Sequence, residues 1–135
     1  MSTLVSACLL GFACRHDGRD KRDPRLLAAL SDEEVVPVCP EIAGGLGVPR
    51  QPAFLDGARI VDARGREVTD RFAAGAAAAV LAARAHGCSR AILKQHSPSC
   101  GTRSVGTAQG RAPGLGVAAA ALSAAGLALL SEDEV

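Results

Sequence analysis

Gly87-Cys88-Ser89-Arg90-Ala91-Ile92-Leu93-Lys94-Gln95-His96-Ser97-Pro98-Ser99-Cys100-Gly101 is the stretch on which the reading of the fold turns. Gly87 closes an alanine-rich helix that runs to His86 from a cap at Thr69 or Asp70, with Phe72, Val80 and Leu81 on its apolar side. Arg90 to Lys94 then reads as a strand, and a polar loop carrying Cys100 follows. Upstream, Leu4 to Leu10 is an apolar run of strand length that holds Cys8. Asp23-Pro24 opens a helix of about two turns to Leu30, with Pro at the first helical position. Glu34 to Cys39 reads as a second strand, and Pro37 inside it suits a sheet edge. Downstream, the spacing predicts a helix over Val117 to Ala125 and a strand over Leu127 to Leu130. Strands that alternate with helices predict an α/β fold: a three-layer, Rossmann-like arrangement with a small, mainly parallel sheet and helices on both faces.

Between these elements lie two segments with a different reading. Arg59 to Asp62 and Arg66 to Val68 flank Gly65 and predict a small hairpin. Gln95 to Pro113 reads as one long loop, and long loops in compact domains usually carry sites or lids.

At 135 residues the chain is expected to form one domain, 1–135, with a sizeable core. Hydrophobic residues make up 48% and charged residues 21%, which excludes disorder. A formal net charge of +1 argues against a broad nucleic-acid surface. Trp and Tyr are absent and Phe12, Phe54 and Phe72 are the only Phe residues, so no row of base-stacking aromatics exists for single strands. The chain starts directly into a strand, and its longest apolar run, Leu115 to Leu130, is broken by Gly116, Ser123 and Gly126. That run falls short of the roughly 20 residues that span a bilayer. A cytoplasmic protein is expected, with no membrane partner and with thiols kept reduced.

Cys8, Cys39 and Cys100 each fall where a predicted strand runs out. In an open parallel sheet those ends share one edge, where ligands bind. Three thiolates meeting there would leave a bound metal or cluster with one open position. Cys88 opens the third strand, roughly 16 Å from its far end across five extended residues, and reads as a small core residue at the opposite edge. Cys14 lies on the correct edge and reads either as a fourth ligand or as a spare thiol. His16 or His96 would complete a Cys₃His zinc site, the main metal alternative. Two further readings therefore stand: a non-catalytic zinc-binding module, and a thiol redox or sulfur-carrier protein using Cys14 beside Cys8.

Ser6-Ala7-Cys8-Leu9-Leu10-Gly11, Cys14-Arg15-His16-Asp17-Gly18, Val36-Pro37-Val38-Cys39-Pro40-Glu41, Gly44-Gly45-Leu46, Pro49-Arg50, Ile92-Leu93-Lys94, Ser97-Pro98-Ser99-Cys100-Gly101 and Gly114-Leu115-Gly116-Val117 occur in that order. Together they resemble a bacterial family long known as a domain of unknown function, whose characterised members are thiouracil desulfidases. The resemblance spans nearly the whole chain. It implies a 4Fe–4S cluster held by Cys8, Cys39 and Cys100, with the fourth iron free for the substrate's sulfur, and release of sulfide from 2-thiouracil to give uracil. It places the catalytic carboxylate and serine on Glu41 and Ser97. The chain departs from the family pattern at His16, where relatives usually have Tyr, and over Ser104 to Gly110, which lacks an aromatic-Asp-Gly stretch.

From the residues themselves, Glu41 stands two positions past Cys39, close enough to activate water or protonate a leaving group, or else to pair with Arg15 or Arg50. Ser97 would relay a proton or cap a turn, since Ser-Pro is a good turn starter. Lys94 ends the third strand at the active edge and reads as binding a carbonyl oxygen, as tuning cluster charge or as a solvated strand end, and Arg15 and Asp17 have similar double readings as substrate-binding or solvated groups. The resemblance implies a small thiolated nucleobase as the partner.

Overall fold

The computed structural model describes residues 2–135. Strand β1 (Ser2–Ser6) leads through a short 3-10 turn (Ala7–Leu10) to helix α1 (Pro24–Ala29) and strand β2 (Glu34–Val38). Helix α2 (Pro40–Ala43), strands β3 (Ala53–Asp56) and β4 (Arg59–Asp62) and the long helix α3 (Thr69–Ala85) follow. Strand β5 (Arg90–Leu93), the pair β6 (Ser104–Thr107) and β7 (Gly110–Pro113), helix α4 (Val117–Ala124) and strand β8 (Ala128–Ser131) complete the order.

The predicted strands assemble into one four-stranded sheet, β2-β1-β5-β8, parallel throughout. Leu4, Val5, Ala91, Ile92 and Leu93 are fully buried, as expected of strands covered on both faces. One face carries Leu4, Val36, Val38, Ala91 and Leu93 against Ala79 and Ala83 of α3 and Ala119 and Leu122 of α4. The other carries Val5 and Ile92 against Leu9, Leu26 and Leu30 around α1. Helices on both faces of a parallel sheet give the expected α/β architecture. Pro37 sits on the edge strand, where its missing N–H leaves no ladder bond unmade on the open side.

Four local expectations are corrected. β1 ends at Ser6, and the chain coils into the 3-10 turn that Gly11 closes with φ 102, so Cys8 lies just beyond the strand. The cap of α3 is Val68, because the Thr69 hydroxyl accepts instead from the Ile60 N–H at 2.9 Å. Its buried stripe is Phe72, Ala76, Ala79 and Ala83; Leu81 falls off that spacing and is 66% exposed. The predicted hairpin across Gly65 is reduced to one bridge, Val61 to Glu67, since β4 pairs mainly with β3.

The largest difference is a second sheet, β4-β3-β6-β7, built partly from the segment expected to be a loop. Its two hairpins are antiparallel, and one parallel bridge, Leu55 to Thr107, joins them. It crosses in front of the C-terminal edge of the parallel sheet and walls in the space there.

Candidate metal centre and active site

Because β1, β2 and β5 run parallel, their C-terminal ends open on one cavity of about 460 Å³. Cys8 enters it from the 3-10 turn after β1, Cys39 from the first residue after β2, and Cys100 from the loop after β5. Each position is fixed by close packing. Cys39 caps α2, and α2 lies so near α3 that a Cβ on Gly75 would run into the Pro40 carbonyl, and one on Gly44 into that of Arg71. Ser97 Oγ accepts from the N–H groups of Ser99 and Cys100 at 3.1 and 3.0 Å, which shapes the turn that presents Cys100. A Cβ on Gly101 would strike the Ser104 carbonyl, and one on Gly116 the Ser99 carbonyl. Only glycine allows either approach.

The thiols differ in how readily they ionise. Burial pushes Cys8 up to about 11, aided by Cys39 and opposed by Lys94 and Arg15. Burial likewise raises Cys100 to about 12, against a hydrogen bond with Ser6. Cys39 is held below the usual thiol value, because the Cys14 thiol hydrogen-bonds its sulfur and the Ile42 N–H points at it. Cys14 is raised in turn by donating that bond and by burial. Cys14 therefore shares the corner held by Cys39, with the Cys39 sulfur also 3.7 Å from the Cys14 carbonyl. Cys88 lies apart, packed beside the core under α3 and α4.

Glu41, on the first turn of α2, lines the same cavity. Its Oε2 accepts from Arg50 Nη2 at 3.0 Å, and that nitrogen also reaches the Cys14 carbonyl at 2.9 Å. The arginine is nearly buried, so the pair is held in place rather than averaged by solvent.

A family model described as 2-thiouracil desulfurase matches residues 3–134. The chain belongs to that family. Its membership makes it an enzyme of the thiouracil desulfidase kind. The chain is 37% identical over 145 residues to the "Uncharacterized protein YbbK" of Bacillus subtilis (strain 168), which covers 98% of this chain and 96% of that one. It superposes with a TM-score of 0.93 on the solved structure of the 4Fe–4S-dependent thiouracil desulfidase TudS, at 38% identity, covering 99% of this chain and 92% of that one.

Within this desulfurase chain the other expected residues fall into two groups. Lys94 and Arg15 line the cavity. Lys94 Nζ is anchored by Glu132 at 2.8 Å and by the Gln95 carbonyl at 3.1 Å. Asp17 does not reach the cavity: it is exposed, its Oδ1 accepts from the Arg19 N–H at 3.0 Å, and its Oδ2 stands 3.9 Å from Arg15. The local turn thus takes up its carboxylate. His16 and His96 border the cavity, but among the described residues no three His, Cys, Asp or Glu side chains converge closely enough to hold a single metal ion. A cluster, unlike one ion, takes thiolates spread by its own breadth.

Three contributors escaped the sequence reading. Gln95 is buried; its Oε1 accepts from the Arg103 and Ser104 N–H groups at 3.0 and 2.9 Å, tying the β5 loop to β6. Phe54 and Arg111 reach the cavity from the second sheet. Nothing near them in sequence signals this, because their placement depends on strand pairing across some fifty residues.

Proposed function

We propose that this protein hydrolyses a thiolated pyrimidine such as 2-thiouracil to uracil and hydrogen sulfide, with a 4Fe–4S cluster held by Cys8, Cys39 and Cys100. The observation that carries the reading is the meeting of three strand-end thiols with Glu41, Ser97 and Lys94 in one cavity of about 460 Å³. The donor set fits such a cluster: three soft thiols, with Cys8 and Cys100 buried and Cys39 half-buried, and with Cys14 beside Cys39 rather than at a separate corner. When bound, the cluster supplies a thiophilic Lewis acid that polarises the carbon–sulfur bond.

The remaining chemistry belongs to the chain. Glu41 is anchored through Oε2 to Arg50, which leaves Oε1 to orient a water and take its proton. Ser97 Oγ accepts two backbone N–H groups, so its own hydrogen is free to pass to the substrate. Lys94 uses two of its three donors on Glu132 and Gln95 and keeps one for a ring carbonyl. Arg15 adds a cation at the rim. Water adds across the thiocarbonyl carbon, the carbonyl oxygen comes from water, and sulfur leaves as hydrogen sulfide with no net electron transfer.

The size of the cavity and the modest net charge favour a free base over RNA. All five cysteines are free, which suits a reducing compartment such as the cytoplasm. Among the described residues no helix is long and apolar enough to cross a membrane. The test is sulfide release from 2-thiouracil by anaerobically reconstituted protein, with iron and acid-labile sulfide measured on the same sample. Sulfide and uracil in equal amounts support the reading. A cluster-loaded protein that releases neither would overturn it.

A further inference from the structure

The cavity has a second wall that the cysteine chemistry leaves unused. It is one face of β3, β6 and β7. Leu55 pairs with Thr107 in parallel, which sets Phe54 beside Gly106, and Gly106 pairs directly with Arg111. Phe54, Gly106 and Arg111 therefore stand in one row across three strands, and all three line the cavity.

The middle of that row is empty of side chain. A Cβ built on Gly106 would meet only the His96 carbonyl at 3.7 Å and Phe54 Cδ1 at 3.8 Å, both ordinary contacts. Strands two apart lie about 9.5 Å from each other. One flat ring with van der Waals contact of about 3.5–4 Å on each side fills such a gap. Among the described residues Phe54 is the only phenyl group on the cavity wall, and it is half-buried. Arg111 makes no hydrogen bond or ion pair among the described residues, so its guanidinium is uncommitted. The Gly106 N–H donates to the His96 carbonyl at 3.1 Å, which ties this row to the loop that presents Cys100.

We propose that Phe54 and Arg111, on either side of Gly106, form a slot that clasps the flat ring of a heteroaromatic thione and turns its carbon–sulfur group towards the cysteines. The phenyl ring stacks on one face of the heterocycle and the planar guanidinium on the other. Gly106 keeps the floor clear. The slot selects planar rings over open-chain thiocarbonyl compounds, and Phe54 and Arg111 are positioning residues. This inference rests on the desulfidase reading for the chemistry, though not for the binding of the ring.

The test is equilibrium binding of uracil, which cannot react, to cluster-loaded wild type, Phe54→Leu, Arg111→Gln and Gly106→Val. KM and kcat for 2-thiouracil and for ring-less thiourea are measured alongside. Loss of either stacking face is expected to raise the uracil dissociation constant and the 2-thiouracil KM about tenfold, with kcat and the visible cluster band unchanged. Gly106→Val fills the slot and has the largest effect. Thiourea kinetics stay the same in Phe54→Leu and Arg111→Gln, which a general disturbance of the fold would not allow. Unchanged uracil binding in both of those variants overturns the slot, even where sulfide release confirms the reaction. Slot-dependent uracil binding without sulfide release upholds the slot and overturns the reaction. Wild type that binds neither ring overturns both.

Discussion

The two walls of the cavity are built in opposite ways. The cysteine wall rises from a parallel sheet buried on both faces, and its loops are locked by backbone contacts that only Gly44, Gly75, Gly101 and Gly116 permit. The facing wall is two short, half-exposed hairpins joined by a single parallel bridge, with only ordinary van der Waals contacts around Gly106. A cluster needs fixed ligands, because thiolates displaced by even an ångström lose their geometry. A ring slot tolerates adjustment. The chemistry thus sits on the stiff wall and recognition on the adaptable one.

The sharpest test of this division is all-or-none. Cys8→Ala, Cys39→Ala and Cys100→Ala should each abolish the visible cluster band and sulfide release. Cys14→Ser should keep both, since Cys14 shares the corner of Cys39. Loss of the band in Cys14→Ser as well would mean four protein ligands and no position for substrate sulfur. Absorption spectra of reconstituted variants decide between the two.

Glycines report the same contrast in stability. Gly75→Leu drives a side chain into the Pro40 carbonyl and must prise α2, with Cys39 and Glu41, away from α3. A loss of about 3 kcal/mol in chemical denaturation is expected. Gly106→Ala meets ordinary contacts alone and should stay within about 1 kcal/mol of wild type. Equal costs at the two sites would erase the distinction between a locked and an adaptable wall.

The same division decides what could be read from the sequence. The strands of the parallel sheet are short apolar runs such as Leu4-Val5 and Ala91-Ile92-Leu93, and burial on both faces leaves that mark in composition. Those runs place Cys39 directly after a strand end, while Cys8 and Cys100 reach the same edge through the 3-10 turn after β1 and the loop after β5. The second sheet left no such mark. Ser104 to Thr107 and Gly110 to Pro113 contain glycine and proline and are largely exposed or half-buried, so they become strands only through pairing. Asp17 shows a different limit. Its position beside Arg15 is plain in the sequence, yet the turn at Arg19 takes its carboxylate away from the cavity. Ser97 combines both readings: it caps the Cys100 turn and borders the cavity.

That double role can be separated. Ser97→Ala removes the acceptor for two backbone N–H groups and should cost about 1 kcal/mol of stability. Ser97→Thr keeps the hydroxyl and should recover it. A proton-relaying serine lowers kcat in Ser97→Ala well beyond what the stability loss explains, while the cluster band persists. A serine that only shapes the turn weakens the band and activity together.

The smallest expected effect lies on the adaptable wall and depends on pH. Asp62 ends β4, and its carboxylate accepts from the Arg64 and Arg66 N–H groups at 2.9 and 3.0 Å and from Arg66 Nε at 2.9 Å. Burial alone would raise its pKa, but these donors outweigh it and hold the group below the usual 3.8. A depressed carboxylate stabilises the fold above its unfolded value, and the contribution disappears as pH falls through the folded value. Asp62→Asn should therefore lower the thermal midpoint slightly at neutral pH, and the gap should close below about pH 4. Arg66 is mostly exposed, so added salt should narrow the gap as well. Cys39, Asp17 and Glu134 are also held low, but they are the same in both proteins, so the acid-dependent difference between the two reports on Asp62. A gap that stays constant from pH 7 to pH 3 would show that Asp62 acts through its shape rather than its charge, and that the hairpin holds this wall without electrostatic help.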